Sequence, residues 1–208
     1  MRTLQISLTG LAIACVVMSA AFISRKNLND AVTSSSASHA RDNIHPSWHE
    51  TRWPFLMDQW GLGRAFNCTA RDCGTEINVY VRAKIGFCNC TTGVADDEEI
   101  DRIGDVELIS ARYAGDAPGN DVAVADMKGR SRRYRITGTN AGQVLGGQVL
   151  GGQVLGGQVL VVAFSRKCDV MVATAVAGSG HTAPPEALVL QFLNGDVITG
   201  WATRDLGA

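Results

Sequence analysis

The sequence predicts an α+β domain, with a mainly antiparallel sheet and one or two short helices, cross-linked by disulfides and preceded by an apolar N-terminal segment. Three observations predict it. Several segments alternate in polarity as strands do, two segments carry helix boundaries, and five cysteines follow the apolar segment. We expect a single domain over 46–208, because a chain of 208 residues is long enough for one ordinary core and too short for two.

Composition excludes two classes of protein. At 46% hydrophobic residues, the chain is too apolar to be wholly disordered. Its 19 basic and 20 acidic residues give a net charge of −1, without the basic excess of a dedicated nucleic-acid-binding protein. Glycine is frequent at 23 residues, but seven of them lie in a repeat at 142–160, so the rest of the chain has an ordinary composition.

The chain begins with an apolar segment. Residues 6–24 are uncharged, Arg2 precedes them, and two basic residues follow. This arrangement indicates a signal peptide or signal anchor over 1–24 and a flexible linker over 25–45. Its length approaches the ~20 residues that span a bilayer, so cleavage stays open. We expect a periplasmic or secreted protein, which this segment anchors in the inner membrane if it is not cleaved.

Five cysteines follow that segment, and an exported chain is expected to pair them. Cys68 and Cys73 enclose a short loop and are the first expected pair. Cys88 and Cys90 flank one residue, so a bridge between them would be strained, and we expect one of the two to pair with Cys168. One thiol then remains. The alternative is a thiol- or metal-handling protein that uses Cys88 and Cys90, although their spacing matches no standard zinc module.

The clearest strand lies at 76–88, where apolar and polar residues alternate. The apolar face carries Ile77, Val79, Val81, Ala83 and Ile85, and the polar face carries Asn78, Tyr80, Arg82 and Lys84. This pattern predicts a half-buried strand. A short helix is expected next, because Asp96 and Glu99 have capping-box spacing and Gly104 ends the pattern. Residues 106–109 are expected to begin another strand.

A basic segment follows a predicted strand at 122–127. Five basic residues in eight positions are candidates to bind an anionic ligand, namely Lys128, Arg130, Arg132, Arg133 and Arg135. Two other interpretations are open. The segment is a solvated or edge strand whose charges prevent pairing with other chains, or its charges pair with the acidic residues at 96–107.

Three strands and a helix complete the predicted fold. The strands are expected at Val159–Phe164, Asp169–Val176 and Asp196–Thr203. The helix is expected at 184–194, because proline lies at its start and Gly195 follows its end.

A repeat lies between the basic segment and these strands. Residues 142–160 contain four GQVL units at a period of five. A repeat period of five residues matches neither helical nor strand periodicity. We therefore interpret the array as a tandem expansion inserted in a surface loop. Residues 136–165 contain no charged residue and no proline, a composition that favours pairing between chains. The repeat therefore predicts self-association.

Signals for catalysis are weak. Cys168 and His181 could form a cysteine–histidine pair in an enzyme, but the turn before the predicted helix explains the segment around His181 equally well. The sequence lacks a phosphate-binding loop, a dinucleotide fingerprint and a zinc-protease motif. We expect no catalytic residue, no cofactor and no metal site.

Three segments carry a resemblance to known proteins. They read WPFLMDQWGLGRAFNC, VYVRAKIGFCNCTTGVADDEEIDRIGD and MKGRSRRY, and together they cover most of residues 53–135. In these segments the chain resembles small exported proteins of unknown function from proteobacteria. The resemblance implies export from a bacterial cytoplasm and no activity. The GQVL array is not part of it.

The sequence therefore predicts an exported small globular protein with a non-catalytic binding or envelope-associated role. The expected partner is a protein or an anionic polymer. Beyond this, the residues point to no ligand.

Overall fold

The computed structural model describes residues 46–137, 157–178 and 183–207. The predicted signal segment, the predicted linker, the first three GQVL units and His181 lie outside these residues. No helix in the described ranges is long and apolar enough to cross a membrane.

Eight strands form one antiparallel sheet, as predicted. They are β1 Trp48–Thr51, β2 Arg64–Cys68, β3 Ile77–Lys84, β4 Tyr113–Gly115, β5 Asn120–Val124, β6 Met127–Ile136, β7 Gly157–Arg166 and β8 Asp169–Ala177. Their order across the sheet is β1-β2-β3-β8-β7-β6-β4, and β5 also pairs with β6. The last strand, β8, lies between β3 and β7 and so joins β1, β2 and β3 to the other strands in one sheet.

Short helices lie between and after the strands. They are α1 Ala70–Cys73, α2 Asp97–Ile103, a 3-10 helix Val106–Leu108, α3 Glu186–Leu193 and α4 Asp196–Asp205. The predictions of α2 and α3 are confirmed. The Asp96 side chain caps α2 by accepting the backbone N–H of Glu99 at 2.8 Å, as the capping spacing predicts.

The predicted last strand at 196–203 is wrong, because this segment is helix α4. Ile198, Ala202 and Leu206 are all buried and recur every four residues, so they form one helical stripe against the sheet. The eight residues 196–203 contain only two members of this stripe, Ile198 and Ala202, which is too few to distinguish helical from strand periodicity.

The predicted strand at 106–109 is also wrong. Val106 and Ile109 are both buried, and the Ile109 N–H bonds to the Val106 carbonyl at 2.9 Å. Residues three positions apart lie on the same side of a 3-10 helix, which has three residues per turn. In a strand they would face opposite sides of the sheet.

Both faces of the sheet are covered. On β7, Leu160, Val162 and Phe164 face a core that includes α3 and α4. The alternate residues Val159 and Val161 face a second core that includes α2 and the 3-10 helix. The central strands are therefore buried on both sides.

Strand β3 is not half-buried as predicted. Its apolar face packs in the first core, but Tyr80, Arg82 and Lys84 on its polar face are also buried, with Arg82 and Lys84 only 3% exposed. The charged ends of these two side chains must find partners inside the protein, since an unpaired buried charge is very costly.

The predicted edge position of the basic segment is wrong. Strand β6, which contains it, pairs with β7 on one side and with β4 and β5 on the other. Its charges do not need an edge because acidic side chains of other elements neutralise most of them.

One GQVL unit belongs to the sheet. The fourth unit, residues 157–160, begins β7 and pairs with the end of β6, where Gly157 lies opposite Ile136. The strand predicted from Val159 onward is confirmed. A single unit is therefore sufficient for the β6–β7 pairing.

Candidate functional site

A buried ion cluster occupies the end of β3. The Arg82 guanidinium bonds to both carboxylate oxygens of Asp105, at 2.7 and 2.5 Å, and to Asp58 at 2.7 Å. The Lys84 ammonium lies 2.7 Å from an Asp105 oxygen and donates to the carbonyl of Ile103 at 2.7 Å. Two cations and two carboxylates thus neutralise one another on the face of the sheet that α2 covers.

Asp58 brings a loop onto this cluster. It lies in the connection between β1 and β2, and its second carboxylate oxygen accepts the backbone N–H of Trp60 at 2.8 Å. The Gly61 N–H bonds back to the Asp58 carbonyl at 3.0 Å, and Gly61 has a φ of 77°, which glycine adopts without strain. The result is a tight turn that an internal arginine holds in place.

The electrostatics favour an ionised Asp58. Partial burial acts to raise the pKa of its carboxyl, but the hydrogen bonds from Arg82 and from the Trp60 amide and the charges of Arg82 and Lys84 outweigh that effect. The pKa of Asp58 is therefore lowered, and the link between loop and cluster is charged at neutral pH.

Aromatic rings anchor both sides of the same turn. Before it, Phe55 is buried and its ring lies 4.9 Å from the Tyr80 ring, edge to face. After it, the Trp60 ring lies 4.4 Å from Phe87. The Lys84 ammonium is 5.7 Å from the Trp60 ring centre, within range of a cation–π contact. The loop backbone is consequently held at three points.

Between these anchors, aliphatic side chains face solvent. Leu56 is 90% exposed, Met57 72% and Leu62 62%. Ile85, in the turn directly after β3, is 57% exposed. We call Leu56, Met57, Leu62 and Ile85 the apolar tip. Three of the four lie within the seven residues 56–62 of the anchored loop, and exposed apolar side chains concentrated in one place mark binding surfaces.

The cysteines form the predicted pairs. Cys68 bonds to Cys73, and Cys90 bonds to Cys168, so the partner of Cys168 is the second of the two expected candidates. Two disulfides fit an oxidising compartment. Cys88 is a buried thiol whose Sγ lies 3.3 Å from the Lys167 carbonyl. Burial raises its pKa, which disfavours the thiolate.

These pairings bear on the chemistry expected of the cysteines. Cys90 and Cys168 are in a disulfide, so neither offers the free thiolate that a metal site with Cys88 or a pair with His181 would need. His181 lies outside the described residues. Within the described ranges, no group of three or more histidine, cysteine, aspartate or glutamate side chains could hold a metal ion.

Two arginines of the basic segment pair with α2. Arg130 bonds to Asp97 at 2.6 Å, and Arg132 bonds to Asp101 at 2.8 Å. The Tyr134 hydroxyl, on the same face of β6, donates to Asp101 at 2.7 Å. This is the internal pairing with residues 96–107 that the sequence left open.

The opposite face of β6 carries the other two arginines. Arg133 lies 3.5 Å from Glu186 at the start of α3, and Arg135 lies 2.8 Å from Asp116. Lys128 has no carboxylate partner among the described residues. An anionic ligand on this strand would compete with a carboxylate at each of the four arginines, so the anion site stays a prediction without geometric support.

No protein-family model, curated protein or solved structure matches this chain. The resemblance to exported proteobacterial proteins therefore stays a prediction.

Sequence reasoning missed the ion cluster and the apolar tip. The signal for the cluster is the apolar run of β8, residues 169–177, which leaves no polar face. A sheet whose central strand is apolar on both sides is covered on both sides, so the neighbouring charges on β3 must also be buried. The apolar tip has no comparable signal, because exposure of Leu56 and Met57 depends on how the loop packs.

Proposed function

We propose that this chain is an exported protein with a non-catalytic binding role at the cell envelope, and that the apolar tip is its binding surface. The observation that carries the proposal is the loop itself. Its backbone is fixed to an internal ion cluster, while its aliphatic side chains point into solvent.

Rigidity supports binding because a pre-ordered loop loses little conformational entropy when a partner covers it. The Asp58–Arg82 bond, the Phe55–Tyr80 contact and the Trp60–Phe87 contact each restrict the loop. If the loop served only to connect β1 and β2, neither these contacts nor the exposed leucines would be required.

Export is supported by the disulfides together with the apolar N-terminal sequence. The non-catalytic role is supported by the state of the cysteines. The only free thiol within the described ranges is buried and has a raised pKa, and both cysteine-based alternatives need Cys90 or Cys168 as a thiolate.

A photo-crosslinking experiment in intact cells tests the binding surface. Benzoylphenylalanine replaces Met57, which is 72% exposed, in one variant and Val197, an apolar residue of α4 that is 53% exposed, in the control. We expect adducts of protein or lipid at position 57 and few at 197. Equal adduct yields at the two positions would contradict the proposal, because they would reflect exposure alone.

A further inference from the structure

Three cysteines meet at the hairpin between β7 and β8. Cys168 is the second residue of the two-residue turn that joins these strands, and it is bonded to Cys90. Cys88 contacts the same turn twice. Its N–H donates to the Cys168 carbonyl at 3.0 Å, and its thiol donates to the Lys167 carbonyl at 3.3 Å. A free thiol is thereby held at the turn that carries one end of a disulfide.

The backbone contact places Cys88 within bridging range of Cys168. An N–H···O=C bond of this kind sets the two α-carbons roughly 5–6 Å apart, and disulfides join α-carbons that are about 4.4–6.8 Å apart. Cys88 and Cys90 are separated by Asn89 alone, in the irregular segment between β3 and α2. Cys168 therefore has two cysteines within reach, and the structure pairs it with one of them.

The segment that carries Cys88 and Cys90 is held at the turn by contacts that do not depend on the disulfide. The Gly86 N–H donates to the Asp169 carboxylate at 2.7 Å, next to Cys168. The Asn89 N–H donates to the Glu99 carboxylate at 3.0 Å. Either bridge to Cys168 would join the same segment to the same turn, so a change of partner leaves the strand pairing of the sheet in place.

The two cysteines differ in exposure. Cys88 is buried and only 7% exposed, whereas Cys90 is exposed. With Cys168 bonded to Cys90, the remaining thiol is concealed in the protein. With Cys168 bonded to Cys88, the remaining thiol would be at the exposed Cys90. The choice of partner thus decides whether a reagent in solution meets a thiol.

The surroundings of Cys88 set the pace of such a change. Burial raises the pKa of its thiol, the hydrogen bond with Ser165 lowers it, the carboxylates of Glu99 and Asp169 raise it, and the charge of Arg102 lowers it. The pKa is raised overall. Because the thiolate is the attacking species in disulfide exchange, the reaction is slow at neutral pH and faster in mild alkali.

We propose that Cys88 displaces Cys90 as the partner of Cys168, and that Cys90 is thereby a site of modification by low-molecular-weight disulfides. The Cys88 thiol loses its proton to solvent, and its thiolate attacks the Cys168 sulfur. The Cys88–Cys168 bond forms, the Cys90–Cys168 bond breaks, and the Cys90 sulfur leaves as a thiolate. This step involves no net oxidation or reduction.

The second step is an exchange with the external disulfide. The Cys90 thiolate attacks one of its sulfurs, a mixed disulfide forms at Cys90, and the other half of the reagent leaves as a thiolate that takes up a proton. The modification goes beyond the proposed binding function and does not depend on the apolar tip.

The test uses the folded full chain and oxidised glutathione in mild alkali. Acid stops the exchange, pepsin digests the protein in acid, and tandem mass spectrometry locates the adduct and the bridges. We expect glutathione on Cys90 together with a Cys88–Cys168 bridge. The Cys68–Cys73 bridge is the internal control and should stay intact, because it lies where β3 begins, at the opposite end of that strand from Cys88.

Two results of this mapping would overturn the inference. One is glutathione on Cys88 with the Cys90–Cys168 bridge intact, since it would show direct modification without exchange. The other is the absence of an adduct on both Cys88 and Cys90.

Matched variants test whether Cys88 is the attacking group. Cys88→Ser keeps the Cys90–Cys168 bridge, and its adduct at Cys90 should fall roughly tenfold or more. Cys15→Ser removes a cysteine of the N-terminal segment and should leave the adduct at Cys90 unchanged. An undiminished adduct in Cys88→Ser would contradict the inference, because glutathione would then reach the bridge without Cys88.

A third variant tests the reach of Cys88 directly. Cys90→Ser is isolated with Cys88 and Cys168 both as thiols, and oxidised glutathione should then join them in the folded protein. Separate glutathione adducts on the two cysteines, with no bridge, would show that Cys88 does not reach Cys168 and would refute the exchange. Near-ultraviolet circular dichroism verifies that each variant is folded.

Discussion

Arg82 and Asp105 form a doubly bonded ion pair in which both side chains are 3% exposed. Removal of one member of a buried pair leaves an uncompensated charge and typically costs about 3–5 kcal/mol. Because Asp105 also neutralises Lys84, Asp105→Asn leaves two cations dependent on Asp58.

The first prediction is that Asp105→Asn lowers the free energy of unfolding by about 3–5 kcal/mol, measured by urea denaturation. The control is Asp121→Asn. Asp121 is 87% exposed in its pair with Arg130, so its loss should cost no more than about 1 kcal/mol. Equal effects of the two variants would show that the cluster does not stabilise the fold.

The second prediction concerns acid. The folded pKa of Asp58 is lowered, so its contribution to stability is complete above the unfolded value of about 3.9 and is lost as the pH falls through the folded value. The difference in unfolding free energy between the wild type and Asp58→Asn should therefore shrink below about pH 4. Other carboxyls titrate in both proteins and cancel. A difference that is independent of pH would contradict the charged link between loop and cluster.

The third prediction concerns the turn between β5 and β6. Ala125 and Asp126 have φ values of 51° and 61°, and they form the two-residue turn between Val124 and Met127, the last pair of the hairpin. Two-residue turns with positive φ at both positions favour Asn-Gly. Ala125→Asn with Asp126→Gly should raise stability by about 1 kcal/mol, measured by thermal unfolding.

The control for that turn is Asp126→Ala, which keeps a side chain at the left-handed position and should give no gain. The backbone N–H of residue 125 still reaches the Asn194 side chain, at 3.1 Å in the wild type, so the packing of α3 is unchanged. Destabilisation by the Asn-Gly variant would contradict this interpretation.

The fourth prediction concerns the repeat. Deletion of residues 142–156 removes three GQVL units and leaves the five residues 137–141 to connect Ile136 to Gly157. Five residues suit a hairpin connection. Closing a loop four times shorter should stabilise the fold by about 1 kcal/mol.

The same deletion tests self-association, which the uncharged repeat predicts. Concentration-dependent light scattering should fall in the deletion variant relative to the full chain. A control that deletes the same number of residues from the predicted linker should not change it. Unchanged scattering after deletion of the repeat would refute that role.

The fifth prediction concerns the thiols. In denaturant without reductant, Cys88→Ser should show one titratable thiol fewer than the wild type, and Cys90→Ser one more, because it frees Cys168. In the folded protein, Cys88 should react slowly since it is buried and its pKa is raised. A gain of one thiol in Cys88→Ser would indicate that Cys88 is bridged.

Local pattern was enough for much of the fold. The spacing of Asp96 and Glu99 predicted the start of α2, and the cysteine spacing predicted Cys68–Cys73 and one partner for Cys168. Each of these depends on a few neighbouring residues or on a strong chemical constraint. The candidate site was not predicted, because its members Asp58, Arg82 and Asp105 are separated by 24 and 23 residues and meet only after the loop and the 3-10 helix pack on β3.

The sequence by itself determined the antiparallel sheet, two of its helices and the Cys68–Cys73 pair, since alternation, caps and cysteine spacing act locally, but it left open whether Cys88 or Cys90 pairs with Cys168. Only the tertiary structure decided that β6 is interior, that residues 196–205 are helical and that Arg82 and Lys84 are buried. Alternation shows that the two faces of a strand differ in polarity. It does not show what covers the second face, because that depends on contacts between residues far apart in the chain.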